Sequence, residues 1–478
     1  MLLSLFPFLF FIVLAAAGLN GCTAIAVDPH AGFPQVSQLV NERVGQEIAW
    51  VPGPEEAAPV PTTISARLKK GLNETDSVQI ALLQNRNLQA LYTRLSIAQA
   101  DLVQASLLHN PVVDLSSGFP VAGGVVDLGF GMAMDFIDLL YTPLRKRVAT
   151  AQFEETKLRI AAEVLEVVWQ TQTAFYRHQA NEQMLELRHQ VAATTAASSE
   201  LVRVMREAGN VRELDLASEL ALAGEAKLDV RLAEIAVRES RERLNILMGL
   251  WGEDAQRWTV ASVHLPEPRE PLDAERFESR AIERSLDLAA AEQLIVAAAE
   301  NVGLDRISGL FPEVIVGGKG ERDGSEWEPG PTFTLPIPLF DHGQARVARA
   351  QAELRQAREL RSALVVHIHA VARSTRDRLS GHRDRAFHYR DTLLPVRERI
   401  LHETQLQYNA MQVGPLELLR AKEQQIEAGV RYIEALQDYW FAHADLALLL
   451  AGHLPPTEPT PTGPALEQAP RFPFPTLR

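Results

Sequence analysis

The chain is poor in several things that proteins use for chemistry or compactness. It has one cysteine in 478 residues, so it can form neither an intrachain disulfide nor a cysteine-based zinc site. Basic residues are the minority, and 47 Lys+Arg minus 61 Asp+Glu gives −14. That acidic balance argues against a nucleic-acid partner, which wants a basic face. Aromatics make up only 6%, while Ala, Leu, Glu, Arg and Gln are abundant. Such a composition favours long helices packed through small residues over a thick core. Beyond the N-terminal segment there is no run of 18 or more apolar residues, so no transmembrane helix is expected. No Ser/His/Asp arrangement stands at telling spacing, so neither an enzyme nor a cofactor is expected. His367 and His369, two apart on a helix, point about 200° away from each other and read as structural rather than metal-binding. The glycines at 317, 318 and 320 lack phosphate-loop spacing. With Glu321, Arg322, Asp323, Gly324, Glu326, Glu328 and Gly330 they read as a solvated hairpin loop.

The lone cysteine stands at an informative place. Leu2 to Gly18 are almost wholly apolar and are followed by Leu19-Asn20-Gly21-Cys22, a secretory pattern. A leucine three places before the cysteine of Gly-Cys resembles the bacterial lipobox. That resemblance implies that residues 1–21 are a signal peptide and that Cys22 is acylated as the mature N-terminus. Thr23 after the cysteine implies sorting to the outer membrane.

Comparing the chain with itself reveals a duplication. Asn87–Ala90 lies opposite Asp287–Ala290, Val148–Glu154 opposite Val347–Glu353, Leu214–Leu216 opposite Leu416–Leu418, and Met248-Gly249 opposite Ala451-Gly452. The offsets are 200, 199, 202 and 203, so two copies of a unit of about 200 residues are expected. The first spans 73–252 and the second 273–452; a lipid-anchored extended arm, 22–72, precedes them. A disordered tail, 453–478, with eight prolines from Pro455 onward, follows them.

Each copy reads as helix, β-hairpin, very long helix, helix. Copy one has a helix over about 74–108 capped by Asn73, with Asp76 in its first turn. Strands follow at 112–119 and 125–136 around the turn at 120–124. A long helix then opens with Pro143 in its first position, and Asn210 with Glu213 makes a capping box for the helix 213–249. Copy two repeats this with a helix 274–310, strands near 313–320 and 330–339, and a long helix from 342 capped by Asp341 with Gln344. Its break comes at 411–415, before the last helix. A helix over 143–208 spans about 100 Å, and two shorter helices end to end match it. From Leu416 to Ala447 apolar residues recur at alternating 3 and 4 spacing, a coiled-coil seam. The expected fold is mainly α with a small β part, elongated rather than globular.

The stretch 125–136 is long enough to cross a bilayer as a tilted strand. Phe130, Met132, Met134 and Phe136 alternate in it with glycine, alanine and aspartate. One hairpin per copy gives four strands, which cannot close a barrel. Either they form a small soluble sheet or several chains pool them.

Duplicated helix–hairpin–helix units behind a lipobox resemble the TolC-like outer-membrane efflux channel family. Leu335-Pro336-Ile337-Pro338-Leu339-Phe340-Asp341-His342-Gly343 resembles the family's strand-to-helix junction. Residues 207–217 and 408–421 are similar to its two helix–turn–helix tips, and the likeness covers about 40–452. It implies a homotrimer whose helical coiled-coil barrel continues into a twelve-stranded transmembrane β-barrel in outer-membrane lipid. It further implies a periplasmic adaptor (membrane fusion) protein and an inner-membrane RND-type pump as partners, with passive conduction and no cofactor. On a residue-by-residue match, Asp215 and Tyr408 stand where the family has a lock pair. Glu417 and Arg420 stand at its acidic inner ring, Arg420 departing in charge, and Val413 replaces an arginine of another lock contact.

The tips Gly209, Asn210, Val211 and Val413, Gly414, Pro415 are the expected adaptor-docking turns, with Gly209 and Gly414 supplying φ > 0. Leu250-Trp251-Gly252 looks similar to channels serving heavy-metal pumps, which places metal ions slightly ahead of other toxic compounds as cargo. The rival reading is a periplasmic coiled-coil lipoprotein without a pore, an adaptor or stalk, which would lack spanning hairpins.

Overall fold

The computed structural model describes residues 28–51, 64, 67–119, 126–268, 276–310, 313–323 and 326–456. Cys22, the turn at 120–124 and the tail from 457 onward lie outside them.

Residues Phe33–Val44 form helix α1, a correction to the extended arm. Val36 and Val40, one helical turn apart, are fully buried against the body, which is reason enough for that segment to coil. Copy one continues with α2 (Glu74–Gln84) and α3 (Arg86–Ser106). Asn73 caps α2 as expected, its Oδ1 accepting from the Asp76 N–H at 2.7 Å. The single expected helix is nevertheless broken at Asn85, whose side chain accepts from Asn87 and Leu88 N–H and so restarts the helix. Strands β1 (Val112–Gly118) and β2 (Asp127–Asp135) follow. The long helix α4 then runs Asp138–Glu207, 70 residues and about 105 Å. It starts five residues before Pro143 because Asp138, buried, accepts from His109 N–H at 2.8 Å and pairs with Arg145 at 2.5 Å. Helix α5 (Glu213–Met248) completes the copy, and the single turn α6 (Asp254–Arg257) follows it.

Copy two has α7 (Phe277–Glu283) and α8 (Leu286–Leu310), again broken where one helix was expected. Strands β3 (Ile315–Asp323) and β4 (Glu326–Thr334) follow. The strand expected near 313–320 thus holds the glycines at 317, 318 and 320, and the ladder runs on through 321–323 and 326–329, where a loop was expected. A β-carbon on Gly317 would collide with the Met132 carbonyl of β2, so glycine there lets the strands approach. Helix α9 (Gln344–His388) passes through a π-helical turn at Tyr389–Leu393 into α10 (Leu394–Asn409), and α11 (Pro415–Ala451) ends the fold. At the start of α9 the Asp341 carboxylate accepts from Gly343 N–H and Gln344 from His342 N–H. This is the expected pair of residues, shifted one place from a capping box.

Three apolar clusters sit at mid-height, where the short helices of both copies meet the long ones. Trp440 stacks on Tyr176, 4.8 Å between centroids, and donates to the Pro266 carbonyl. Trp258 is fully buried and donates to Asn245. The copies interlock as well as repeat, since Trp169 Nε1 of the first donates to the Asp445 carboxylate of the second at 2.9 Å.

Candidate functional site

The four strands form one antiparallel sheet in the order β1-β2-β3-β4, so the hairpins of the two copies pair through β2 and β3. Register sorts its side chains by chemistry. Val113 pairs with Met132, which pairs with Gly318, which pairs with Pro331; Leu115, Phe130, Gly320 and Pro329 form the next row. With Leu128, Met134, Val316, Trp327 and Phe333 they make one face almost entirely apolar. Asp114, Ser116, Asp127, Lys319, Glu321 and Glu328 point to the other face. The apolar face is uncovered: Leu115 is 76% and Phe333 66% exposed. Among the described residues, β1 and β4 have open edges. An exposed apolar face together with unpaired backbone edges suits neither water nor hydrocarbon until other strands join it. No helix among the described residues is long and apolar enough to cross a membrane.

At the far end of the long helices lie two helix–turn–helix tips built alike. In the first, Asn210 N–H donates back to Met205 O at 2.9 Å, and Gly209 takes φ 79°. In the second, Gln412 N–H donates to Gln407 O at 2.9 Å, and the left-handed residue is Met411, φ 58°. Gly414 is extended (φ −82°, ψ 165°) and caps α11, which corrects its expected positive φ. Capping of α5 is corrected likewise, since Arg212 rather than Asn210 takes the cap position.

The acids at the third helical position each contact the cap residue, in different ways. Asp215 N–H donates to Arg212 O, and its buried carboxylate accepts two 2.9 Å bonds from the Arg212 guanidinium, which holds it below the usual carboxylate range. Glu417 accepts from Gly414 N–H at 3.0 Å and is exposed. Both acids also meet the positive end of a helix dipole. Tyr408 is half-buried, and among the described residues its hydroxyl makes no hydrogen bond; Arg420 is exposed and makes no ion pair. Within one chain, then, Asp215 is paired with Arg212 and not with Tyr408. Asn210 and Gly414 are exposed, and Val211, Val413 and Pro415 are partly so. Arg212 and Met411 escaped the sequence reading, although Arg212 could have been found from its i,i+3 spacing to Asp215. Elsewhere, His369 pairs with Glu278 at 2.9 Å, which ties α9 to α7.

The family model described as "Outer membrane efflux protein" matches residues 278–452. The pyoverdine export outer membrane protein OpmQ of Pseudomonas putida is 29% identical over 163 residues, 33% of this chain and 34% of the relative. OpmQ of Pseudomonas aeruginosa is 27% identical over 219 residues, 44% of this chain and 45% of that protein. The chain thus matches less than half the length of these curated relatives. Among solved structures, the Campylobacter jejuni CmeC outer membrane channel is 15% identical at a TM-score of 0.66, covering 79% of this chain and 85% of that one. That likeness carries the fold. The second copy thus resembles the outer membrane efflux proteins, and the whole duplicated helical body with its four-stranded sheet has the fold of the solved outer membrane channels.

Proposed function

We propose that this chain is the outer-membrane exit duct of a tripartite efflux pump, a passive channel rather than an enzyme. One observation carries the reading: an amphipathic four-stranded sheet with two open edges stands at one end of helices about 100 Å long. Three copies would contribute twelve strands, within the range known for membrane barrels, and leave no edge. The helical part would then form a tunnel through the periplasm. In support, Leu214, Leu220, Leu228 and Leu232 are all exposed on α5, and α10 buries none of its residues, as helices awaiting neighbours would.

The tips at 209–211 and 413–415 would dock a periplasmic adaptor, and through it an RND-type inner-membrane pump supplies the energy. Exposed Met411 and Leu416 give that end an apolar character suited to a protein partner. Asp215 and Tyr408 would act as a lock between helix hairpins of the assembled tube, with Glu417 and Arg420 at the constriction. Cys22 would anchor the chain to outer-membrane lipid through its acyl groups. The cargo would be heavy-metal ions or small toxic compounds, and the OpmQ names add pyoverdine export to the candidates.

Electron microscopy of the full chain in detergent tests the reading. A hollow three-fold tube of roughly 100 Å with a barrel at one end is the expected image. Solid rods or monomers would favour the non-pore stalk instead.

A further inference from the structure

Pro329 and Pro331 lie in β4, at one open edge of the sheet. Proline has no N–H to give to a ladder. In antiparallel pairs, residues alternate between those that bond one neighbour and those that bond the other. The β3–β4 ladder runs unbroken from Ile315↔Thr334 to Asp323↔Glu326. It can do so only if its hydrogen bonds come from Glu326, Glu328, Gly330, Thr332 and Thr334. Trp327, Pro329, Pro331 and Phe333 therefore turn their backbone groups to the open edge. Carrying the alternation through β2 leaves Val113, Leu115 and Ser117 facing outward at the other edge.

The two edges are unequal. β1 offers N–H and C=O at three outward residues, whereas β4 offers four carbonyls but N–H only at Trp327 and Phe333. Apart from Ser117, the outward residues of both strands carry apolar side chains, all on the apolar face, so joining the edges continues that face across the seam.

We propose that Pro329 and Pro331 make β4 an edge that accepts but scarcely donates, and that the partner it fits is the β1 edge of a second copy of this chain. This rests on the pooled-barrel reading and adds to it how each seam is chosen. Two β4 edges facing each other would oppose carbonyl to carbonyl with few donors between, which is costly away from water. That two-fold pairing would also point the helical bodies in opposite directions. A β1–β1 contact would oppose the bodies in the same way and leave β4 unpaired, so what remains is the head-to-tail contact of β4 with β1 of the next copy, the kind that closes into rings. Proline on an edge strand is a recognised guard against wrong edge-to-edge addition. Here it guards one edge and leaves the other free to donate.

The test refolds full-length Pro329→Val/Pro331→Val into phosphatidylcholine vesicles and reads oligomers by crosslinking and unheated SDS gels. The variant should yield severalfold more off-pathway dimer, and the trimers that do form should dissociate roughly tenfold more slowly, because each seam regains two N–H donors. Thr332→Val, whose N–H bonds inward, should change neither quantity. Unchanged dimer yield and trimer lifetime in the double variant overturn the proposal. Leu115→Pro provides the converse, because its N–H faces the seam and not β2. Loss of trimer with helical circular dichroism intact is expected, and persistence of wild-type trimer overturns the proposal. If the wild-type chain forms no trimer under the same conditions, the duct reading itself falls.

Discussion

Gly452 backs onto the carbonyl of Arg284 so closely that a β-carbon on it would overlap the oxygen. Gly249 stands in the same relation to Gln84, where the overlap would be at 2.5 Å. In each copy the last helix ends on a left-handed glycine, φ 66° at Gly249 and 108° at Gly452, pressed into the break of the first helix. Asn85 Nδ2 donates to Leu247 O at 2.8 Å in copy one, and Leu286 N–H donates to Gly452 O in copy two. Alanine at either site meets both a positive φ and a backbone collision. Gly249→Ala and Gly452→Ala should each destabilise by roughly 2–3 kcal/mol, read by thermal melting in detergent. An equally stable Gly452→Ala would mean that the joint is loose. Gly414→Ala, extended and with open space around it, should be nearly neutral.

Two histidines, His178 buried and His453 half-buried, should give the helical body opposite pH dependences. Burial would lower the pKa of His453, but its 2.8 Å bond to Asp287, with that residue's charge and those of Glu166 and Glu163, raises it above the ordinary 6.5. A raised folded pKa contributes stability in full below 6.5 and loses it as pH rises through the shifted value. His178 is pushed down to about 4, first by burial and then by Arg241. Its contribution is present above 6.5 and is lost as pH falls toward 4. His453→Gln should flatten the alkaline fall of the melting curve, and His178→Gln the acid one. A pH profile that neither variant alters would refute both assignments.

Much of this architecture is legible in the sequence. The repeat anchors at Met248-Gly249 and Ala451-Gly452 mark equivalent joints, and alternation at Phe130, Met132 and Met134 marks the apolar face of β2. Helix breaks at Asn85 and Ser285 were not legible, because apolar periodicity continues through them and only the docking of a distant glycine shows the need for a break. The glycines of β3 supported both a strand near 313–320 and a loop, because strand and loop use glycine alike, and the distinction lies in the Met132 carbonyl across the ladder. At the tips, the acids were found by position but not by role. Asp215 meets Arg212 and Glu417 meets a backbone N–H, which are local contacts that a tertiary lock does not require.

Met411 holds a conformation that suits glycine, with φ 58° and 94% of its surface exposed. Its counterpart in the first tip is Gly209, in the same turn with the same backward hydrogen bond. A left-handed non-glycine residue costs about 1–2 kcal/mol. Met411→Gly should therefore slow amide exchange at Gln412 and in the last turn of α10, with a gain of at most about 1 kcal/mol after glycine's own entropy cost. Met411→Val, branched at Cβ, should move exchange the other way. Faster exchange in Met411→Gly would show that the methionine side chain, not the backbone, holds the turn.

The Asp215–Arg212 pair offers a way to separate local capping from gating. If Asp215 serves only α5, then Arg212→Ala and Asp215→Ala should both loosen the first tip and leave single-channel conductance alike. If Asp215 and Tyr408 lock hairpins in the tube, Asp215→Ala and Tyr408→Phe should each raise conductance in planar bilayers. Arg212→Ala should not raise it, because freeing the carboxylate strengthens its bond to a tyrosine hydroxyl. Loss of the guanidinium should also let the Asp215 carboxyl rise toward its ordinary range. Conductance in Arg212→Ala would then increase on acidification at a higher pH than in the wild type. Equal conductance in all three variants across that range would leave Asp215 with its helix alone and remove it from the gate.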